Sequence, residues 1–313
     1  MRYLKDIRDG EQVIGHYLCK QKQTLKSRTG KPYISLKLQD KTGLVDAKIW
    51  DIHNEIDEFE ENSFIKIDGV VSVFQGEYQI SIRRLRVSME GEYDPMDYIP
   101  CTDKDINGML EKLREYIEQV ENTYIKKLLQ GFFVNDESFL SKFTYHSAAR
   151  SVHHSYMGGL LEHTLSVVEY ANFLAHYYSS ANPDIVVAGA MLHDIGKVEE
   201  LSEFPMNDYT DLGQLLGHIM IGAEMVGKKI SEIKNFPPNL EALIKHCILA
   251  HHGEFEYGSP KRPKTIEAMI IHCADNTDAK IKLFDEAIIG DHSKGSWVGF
   301  NRMLGRNIRK SDF

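Results

Sequence analysis

The chain has 313 residues, 42% of them hydrophobic and 27% charged, with a formal net charge of −9. That length suits two or three domains, and the absence of any run of 18 or more apolar residues excludes a membrane helix. The opening MRYLKDIRDG lacks the apolar core of a secretion signal. Cys19, Cys101, Cys247 and Cys273 are widely spaced and form no C-x-x-C pair. A disulfide framework and a zinc ribbon are therefore not expected, and a cytoplasmic location is.

The charge is unevenly distributed. Residues 1–90 hold 15 Lys/Arg against 14 Asp/Glu, and within them residues 20–48 hold eight Lys/Arg against two acids. An acidic protein with one basic patch can meet a polyanion at that patch, although a solvated strand face would look the same.

The same 90 residues read as strands. Val13 to Cys19 gives the first. Tyr33 to Gln39 alternates apolar and polar residues with period two. After the turn Asp40-Lys41-Thr42-Gly43, Val45, Ala47 and Ile49 resume the alternation. Phe64 to Phe74 gives a fourth strand, and after Gln75-Gly76-Glu77 the face Tyr78, Ile80, Ile82 gives a fifth. Asp51 to Asn62 is polar and reads as a helix or loop. Five short strands in about 90 residues match an OB-fold barrel, whose strand faces and loops bind single-stranded nucleic acid through basic and stacked aromatic side chains. The candidates are Lys26, Arg28, Lys31, Tyr33, Lys37, Trp50, Tyr78 and Arg83. Trp50 reads equally as core, and Tyr78 falls on the inner face.

Residues 91–102 contain two prolines and a glycine and read as a linker. Thr102 and Asp105 make a capping-box-like start. Helical periodicity then continues, with helices expected over 103–121, 122–133, 136–146, 157–178, 184–196, 212–234, 239–252 and 264–288. The tail from 291 to 313 is polar and glycine-rich, with Arg302, Arg306, Arg309 and Lys310 near its end. The expected architecture is α+β multidomain: a five-stranded OB-fold barrel over 1–90, the linker, and an all-α domain over 103–290.

Most of the 14 histidines lie after residue 140. His163 falls in an amphipathic helix, His193-Asp194 ends an apolar run, His218 follows Gly217, His251-His252 ends another helix, and Asp275 sits in the apolar stretch Ile270 to Ala274. Buried charge must be paired or bound to a metal, and imidazole with carboxylate is the ligand set of a transition-metal hydrolase. His16, His53, His146, His176, His246, His272 and His292 read as ordinary core or surface residues. Glu162 and Asp278 read as exposed helix charges, with orientation of a ligand ring as the alternative.

The order H…HD…H…HH…D, with GGLLEHT, AMLHDIGK and the downstream aspartate, resembles the HD superfamily of metal-dependent phosphohydrolases. Together with RTGKPYISLKLQDKTG and LIKHCILAHHGEFEYGSPKRPKTIEA, the whole chain resembles the YhaM-type 3′–5′ exoribonucleases of bacteria. The resemblance implies an enzyme that hydrolyses single-stranded RNA, and single-stranded DNA as well, to nucleoside 5′-monophosphates. It implies two divalent ions per chain, manganese first, with cobalt, iron or zinc as alternatives. One site would take His163, His193, Asp194 and Asp275; the other would share Asp194 and take His218, His251 and His252. Lys197 would contact phosphate, with an ordinary helix-end lysine as the alternative. By position before the Gly158-Gly159 turn, one of His153 and His154, with His154 preferred, would protonate the leaving oxygen, with a loop histidine that only packs as the alternative. In the connection 253–264, Lys261 and Arg262, with Lys264, would guide the strand, with a plain inter-helix connection as the alternative. A homo-oligomer is compatible with the apolar helix faces. Rival readings are an HD phosphodiesterase for small or cyclic nucleotides and a nucleic-acid-binding protein with an inactive HD domain.

Overall fold

The computed structural model describes residues 2–27, 29–51, 56–74, 76–150, 154–291 and 295–311. It divides into two compact units, Met1–Cys101 and Thr102–Phe313.

The first unit is a closed barrel of β1 (Gln12–Lys26), β2 (Pro32–Asp40), β3 (Gly43–Ile49), β4 (Phe64–Phe74) and β5 (Glu77–Val87), in the order β1-β2-β3-β5-β4. Closure depends on the length of β1. Its first half pairs with β4 and its second half with β2, with the register shifting between Cys19 and Gln21. On β2 and β3 the pairs Ile34↔Ile49, Leu36↔Ala47 and Leu38↔Val45 point inward and are buried. This is the alternation that the period-two pattern dictates. Residues 88–101 turn back on this unit: Tyr93 stacks on Phe64 at 4.2 Å and Gln39 Nε2 donates to the Tyr98 carbonyl at 2.9 Å. Of the polar stretch 51–62, the described residues 56–62 form no helix.

The second unit is helical: α1 (Ile106–Gln119), α2 (Thr123–Phe133), α3 (Glu137–Tyr145), α4 (Gly159–Tyr177), α5 (Pro183–Leu192), α6 (Lys197–Glu200), α7 (Asp211–Ser231), α8 (Pro238–Ala250) and α9 (Ile266–Ile289). Short polar side chains set most of the starts. Asp105, Asn122, Asp136, Asn182, Thr210 and Thr265 each accept from a backbone N–H of the first turn. Helix α5 is buried from Ile185 to Leu192 and packs against α4, α8 and α9, so it forms the centre of the core. It stops at Leu192 rather than running to 196 as the pattern suggested; Gly196 then leads into the one-turn α6. The tail also differs from expectation. It forms a hairpin of β6 (Trp297–Asn301) and β7 (Arg306–Arg309). Among the described residues no helix is long and apolar enough to cross a membrane.

Candidate metal centre

Helix ends and turns bring the chemical side chains together. His193 is the C-terminal cap residue of α5 and His251 that of α8. In each, ring Nδ1 lies 2.7 Å from a backbone carbonyl three residues earlier, Ala190 and Ile248 respectively. His252 Nδ1 lies 2.9 Å from the Tyr257 carbonyl, His218 Nδ1 3.0 Å from Glu200 Oε1, and His163 Nδ1 2.7 Å from Asp278 Oδ2. A carbonyl or carboxylate oxygen can only accept. All five rings must therefore carry a proton on Nδ1, which leaves Nε2 to offer its lone pair.

Four of those Nε2 atoms, two of them joined by that of His252, converge on Asp194. Its Oδ2 is 3.4 Å from His163 Nε2 and 3.3 Å from His193 Nε2; its Oδ1 is 3.4 Å from His218 Nε2 and 3.7 Å from His251 Nε2. Asp275 Oδ1 is 3.3 Å from His163 Nε2. The ligand atoms of His163, His193 and Asp275 lie within 4.8 Å of one another, as do those of His218, His251 and His252. Asp194 Oδ1, His218 Nε2 and His251 Nε2 are buried without a hydrogen-bond partner. A crowd of acceptors with so few donors repels itself unless a cation sits among it. The donor set, imidazole nitrogen with carboxylate oxygen, fits a divalent transition metal.

The electrostatics show the demand for positive charge that the carboxylates create. Burial works to lower the His163 pKa, yet Asp194, Asp275 and Asp278 together raise it well above the ordinary value. Burial opposes ionisation of Asp194 too, and Lys197 with the imidazoles outweighs it, holding the carboxyl well below its usual range. His251 and His252 are pushed down by burial and by neighbouring rings, so they stay neutral. Lys197 Nζ lies 2.7 Å from Asp194 Oδ2. It borders a cavity of about 680 Å³ whose wall also includes Arg150, Tyr209 and Tyr257.

Two glycines make the assembly possible. A Cβ on Gly196 would fall 2.1 Å from the His218 carbonyl, so only glycine lets the loop after Asp194 approach α7. Gly217 takes a left-handed φ of 71° inside α7; the kink lets Glu200 Oε1 accept from both the backbone N–H and Nδ1 of His218.

Glu162 and Asp278 are not exposed charges: they are 4% and 7% accessible. Asp278 Oδ2 also accepts from His154 Nε2 at 3.1 Å, and its Oδ1 from Ser166 Oγ at 2.5 Å. Glu162 Oε2 accepts from Thr102 and Tyr156, while Lys104 and Lys282 lie within 3.4 Å of its Oε1. His154 therefore lies behind the ligands and does not line the cavity; its Nδ1 meets the Tyr156 hydroxyl at 2.9 Å. The orienting role of Glu200 had no signal in the sequence, whereas Asp278, three residues after Asp275 and so on the same helix face, had one.

On the barrel, Trp50 is 52% exposed and stacks on Tyr33 at 4.7 Å, with Lys48 Nζ 5.8 Å above the Tyr33 ring. Trp50 is thus a surface ring, not core. Tyr78 is 43% exposed, beyond the buried Ile80 and Ile82. Lys26, Lys31, Lys37 and Arg83 are exposed, with Lys37 paired to Asp46 at 3.5 Å. Arg28 lies outside the described residues, as do His53, His153 and His292. Lys261 is exposed; Arg262 pairs with Glu254 at 2.8 Å and lies over the Phe255 ring.

Comparison with known proteins fits this division. The family model described as HD domain matches residues 160–280, and one described as OB-fold nucleic acid binding domain matches residues 19–88. Over 283 residues the chain is 37% identical to the 3′-5′ exoribonuclease YhaM of Geobacillus sp. (strain WCH70), spanning 89% of this chain and 86% of that protein. Among solved structures, the HD domain of the phosphodiesterase PgpH from L. monocytogenes aligns at 22% identity and TM-score 0.31, over 50% of this chain and 84% of that one. The second OB-fold domain of replication protein A from Methanococcus maripaludis aligns at 15% identity and TM-score 0.24, over 30% and 98%.

Proposed function

The chain belongs to the family of the YhaM 3′–5′ exoribonucleases and is a metal-dependent hydrolase; from that premise we propose that it shortens single-stranded RNA, and single-stranded DNA as well, from the 3′ end and releases nucleoside 5′-monophosphates. The observation that carries the reading is the convergence of five Nε2 lone pairs and two carboxylates, with Asp194 Oδ1 buried and unpartnered.

Two divalent ions, manganese first, would be held by His163, His193 and Asp275 on one side and by His218, His251 and His252 on the other, with one oxygen of Asp194 toward each group. Ions held there would supply Lewis acidity, acidifying water toward neutral pH and offsetting charge on the phosphoryl oxygens. The protein's own groups do the rest. Lys197, ionised against Asp194, would meet a phosphate oxygen from its position at the cavity wall. His154 acts as a positioning residue: it shares Asp278 with His163 and so holds that ring. The barrel grips the strand by stacking on Tyr33 and Trp50 and by phosphate contacts from Lys26, Lys31 and Arg83, without reading sequence. Lys261 and Arg262 would add phosphate contacts beside the helical unit's cavity. A cytoplasmic setting belongs to the same proposal.

The test is a 5′-labelled single-stranded RNA incubated with manganese, with EDTA, or with Asp194→Ala protein, and resolved on a sequencing gel. A ladder shortening from the 3′ end, abolished by EDTA and by the substitution, is expected. Intact RNA under every metal tried would refute the proposal.

A further inference from the structure

The C-terminal hairpin lies outside both matched domains, which end at residues 88 and 280. Its register pairs Trp297 with Arg309 and Phe300 with Asn307, while Gly299 faces Ile308. Residues paired across an antiparallel ribbon share a face. Ile308 is 1% exposed and the hairpin packs on α9, so the Gly299–Ile308 face points inward. The other face holds Trp297, Phe300, Asn307 and Arg309. Trp297 is 59% and Phe300 64% exposed.

Charge separates this surface from an ordinary apolar patch. Residues 295–311 contain Arg302, Arg306, Arg309 and Lys310 and no acid, in a chain of net charge −9. Lys310 is used internally, with Nζ 2.9 Å from Asp291 Oδ2, and its backbone N–H donates to the Ser296 carbonyl. These bonds tie down both ends of the ribbon. Among the described residues no carboxylate pairs with Arg302, Arg306 or Arg309 (the ion pairs found elsewhere in the chain do not reach them). Two rings beside the unpaired Arg309 guanidinium on one face, with Arg302 at the turn of the same ribbon, match the alternation of bases and phosphates in a single strand. A protein partner would more readily explain the rings than the three uncompensated arginines.

We propose that the face formed by Trp297, Phe300 and Arg309 is a second binding site for single-stranded nucleic acid, separate from the barrel and without sequence preference. This extends the reading that the substrate is a single strand, and its test does not depend on cleavage. The chain has two tryptophans, so Trp50→Phe leaves Trp297 as the sole indole emitter. That full-length protein is titrated with a short single-stranded RNA in EDTA, reading Trp297 emission and the anisotropy of a dye on the RNA together. The expected result is a saturable quench that follows the anisotropy isotherm and weakens with added salt. In the otherwise native chain, Trp297→Ala with Phe300→Ala should weaken binding roughly five- to hundredfold, as loss of a stacked base does. Arg309→Glu, at an exposed position, should weaken binding and flatten its salt dependence. RNA binding with Trp297 emission unmoved, or wild-type affinity in these variants, overturns the proposal. Emission that shifts with protein concentration alone would make the face a contact between copies of the chain and overturn it as well. A complete lack of RNA binding by the unsubstituted protein as well as by Trp50→Phe would refute the exonuclease reading along with it.

Discussion

Asp278 offers the sharpest test of how the metal centre is held. Its carboxylate accepts from His163 Nδ1, His154 Nε2 and Ser166 Oγ in a site only 7% accessible. Asp278→Ala strands these donors where water scarcely reaches. Each unsatisfied buried donor costs about 1–3 kcal/mol, so unfolding stability should fall by about 3 kcal/mol or more. The freed His163 ring can then turn, and divalent metal affinity should drop tenfold to hundredfold, the usual effect of losing a carboxylate behind a ligand histidine. Asp278→Asn separates geometry from charge. Its amide oxygen can still accept from both rings while its NH₂ meets Ser166, so stability should stay near wild type and affinity should fall less than in the alanine variant. Calorimetric titration of EDTA-stripped protein with manganese, beside a thermal melt, reads both quantities. If Asp278→Ala melts early yet binds manganese within twofold of wild type, the carboxylate is only structural and the argument about His163 fails.

Other consequences are open to direct measurement. Gly217→Ala places a side chain at φ 71° and ψ 157°, a region open essentially only to glycine, with no atom closer than 3.9 Å, so strain alone should cost about 1–3 kcal/mol in a chemical melt; Gly196→Ala, which meets the His218 carbonyl at 2.1 Å, should cost distinctly more, and equal losses would contradict the packing described. Trp50→Ala should weaken single-strand binding by about 1–3 kcal/mol with manganese affinity unchanged, a pair of readings that calorimetry and anisotropy supply. Burial pushes the Cys247 thiol up to about 12 and that of Cys19 to about 11, so at pH 8.5 iodoacetamide should label exposed Cys273 and spare those two until the protein is unfolded. Glu162 is held at about 2: burial raises it, but Thr102, Lys104 and Lys282 more than offset this. Because its folded pKa lies below the unfolded value, its contribution to stability is full above pH 4.5 and lost as pH falls toward 2; the melting difference between wild type and Glu162→Gln should close over that interval.

Much of this was legible from local patterns. Period-two runs located the five strands because a barrel strand buries every second residue, and the polar pair Thr102 and Asp105 announced the first helix, although it is Asp105 that caps it, three residues later than a start at Thr102 implied. The ligands stood out because histidine and aspartate are rarely placed in apolar helical runs without a partner. What the sequence concealed depends on distant contacts. Glu200 orients His218 only because Gly217 kinks α7, and nothing adjacent to either residue announces that meeting. Glu162 resembles any surface glutamate until Thr102, remote in sequence, closes over it. The hairpin was hidden by its own shortness: strands of five and four residues give too few alternations to distinguish from a polar tail. Trp50 could not be placed because it follows the last residue of β3, where inward and outward are no longer fixed by pairing.

The two helix-ending imidazoles have a bearing on how relatives of this chain are to be judged. His193 and His251 each give a proton to a carbonyl that the end of a helix would otherwise leave without a donor. A lineage that abandoned catalysis would still lose stability by discarding them, so selection on folding alone can preserve both. Their retention is accordingly a poor sign of living chemistry. Asp275 is different: among the described residues its carboxylate has a hydrogen-bonding neighbour only in His163, and the scaffold gains little else from it. In a family where some members have become inert, position 275 is where the decay should surface first.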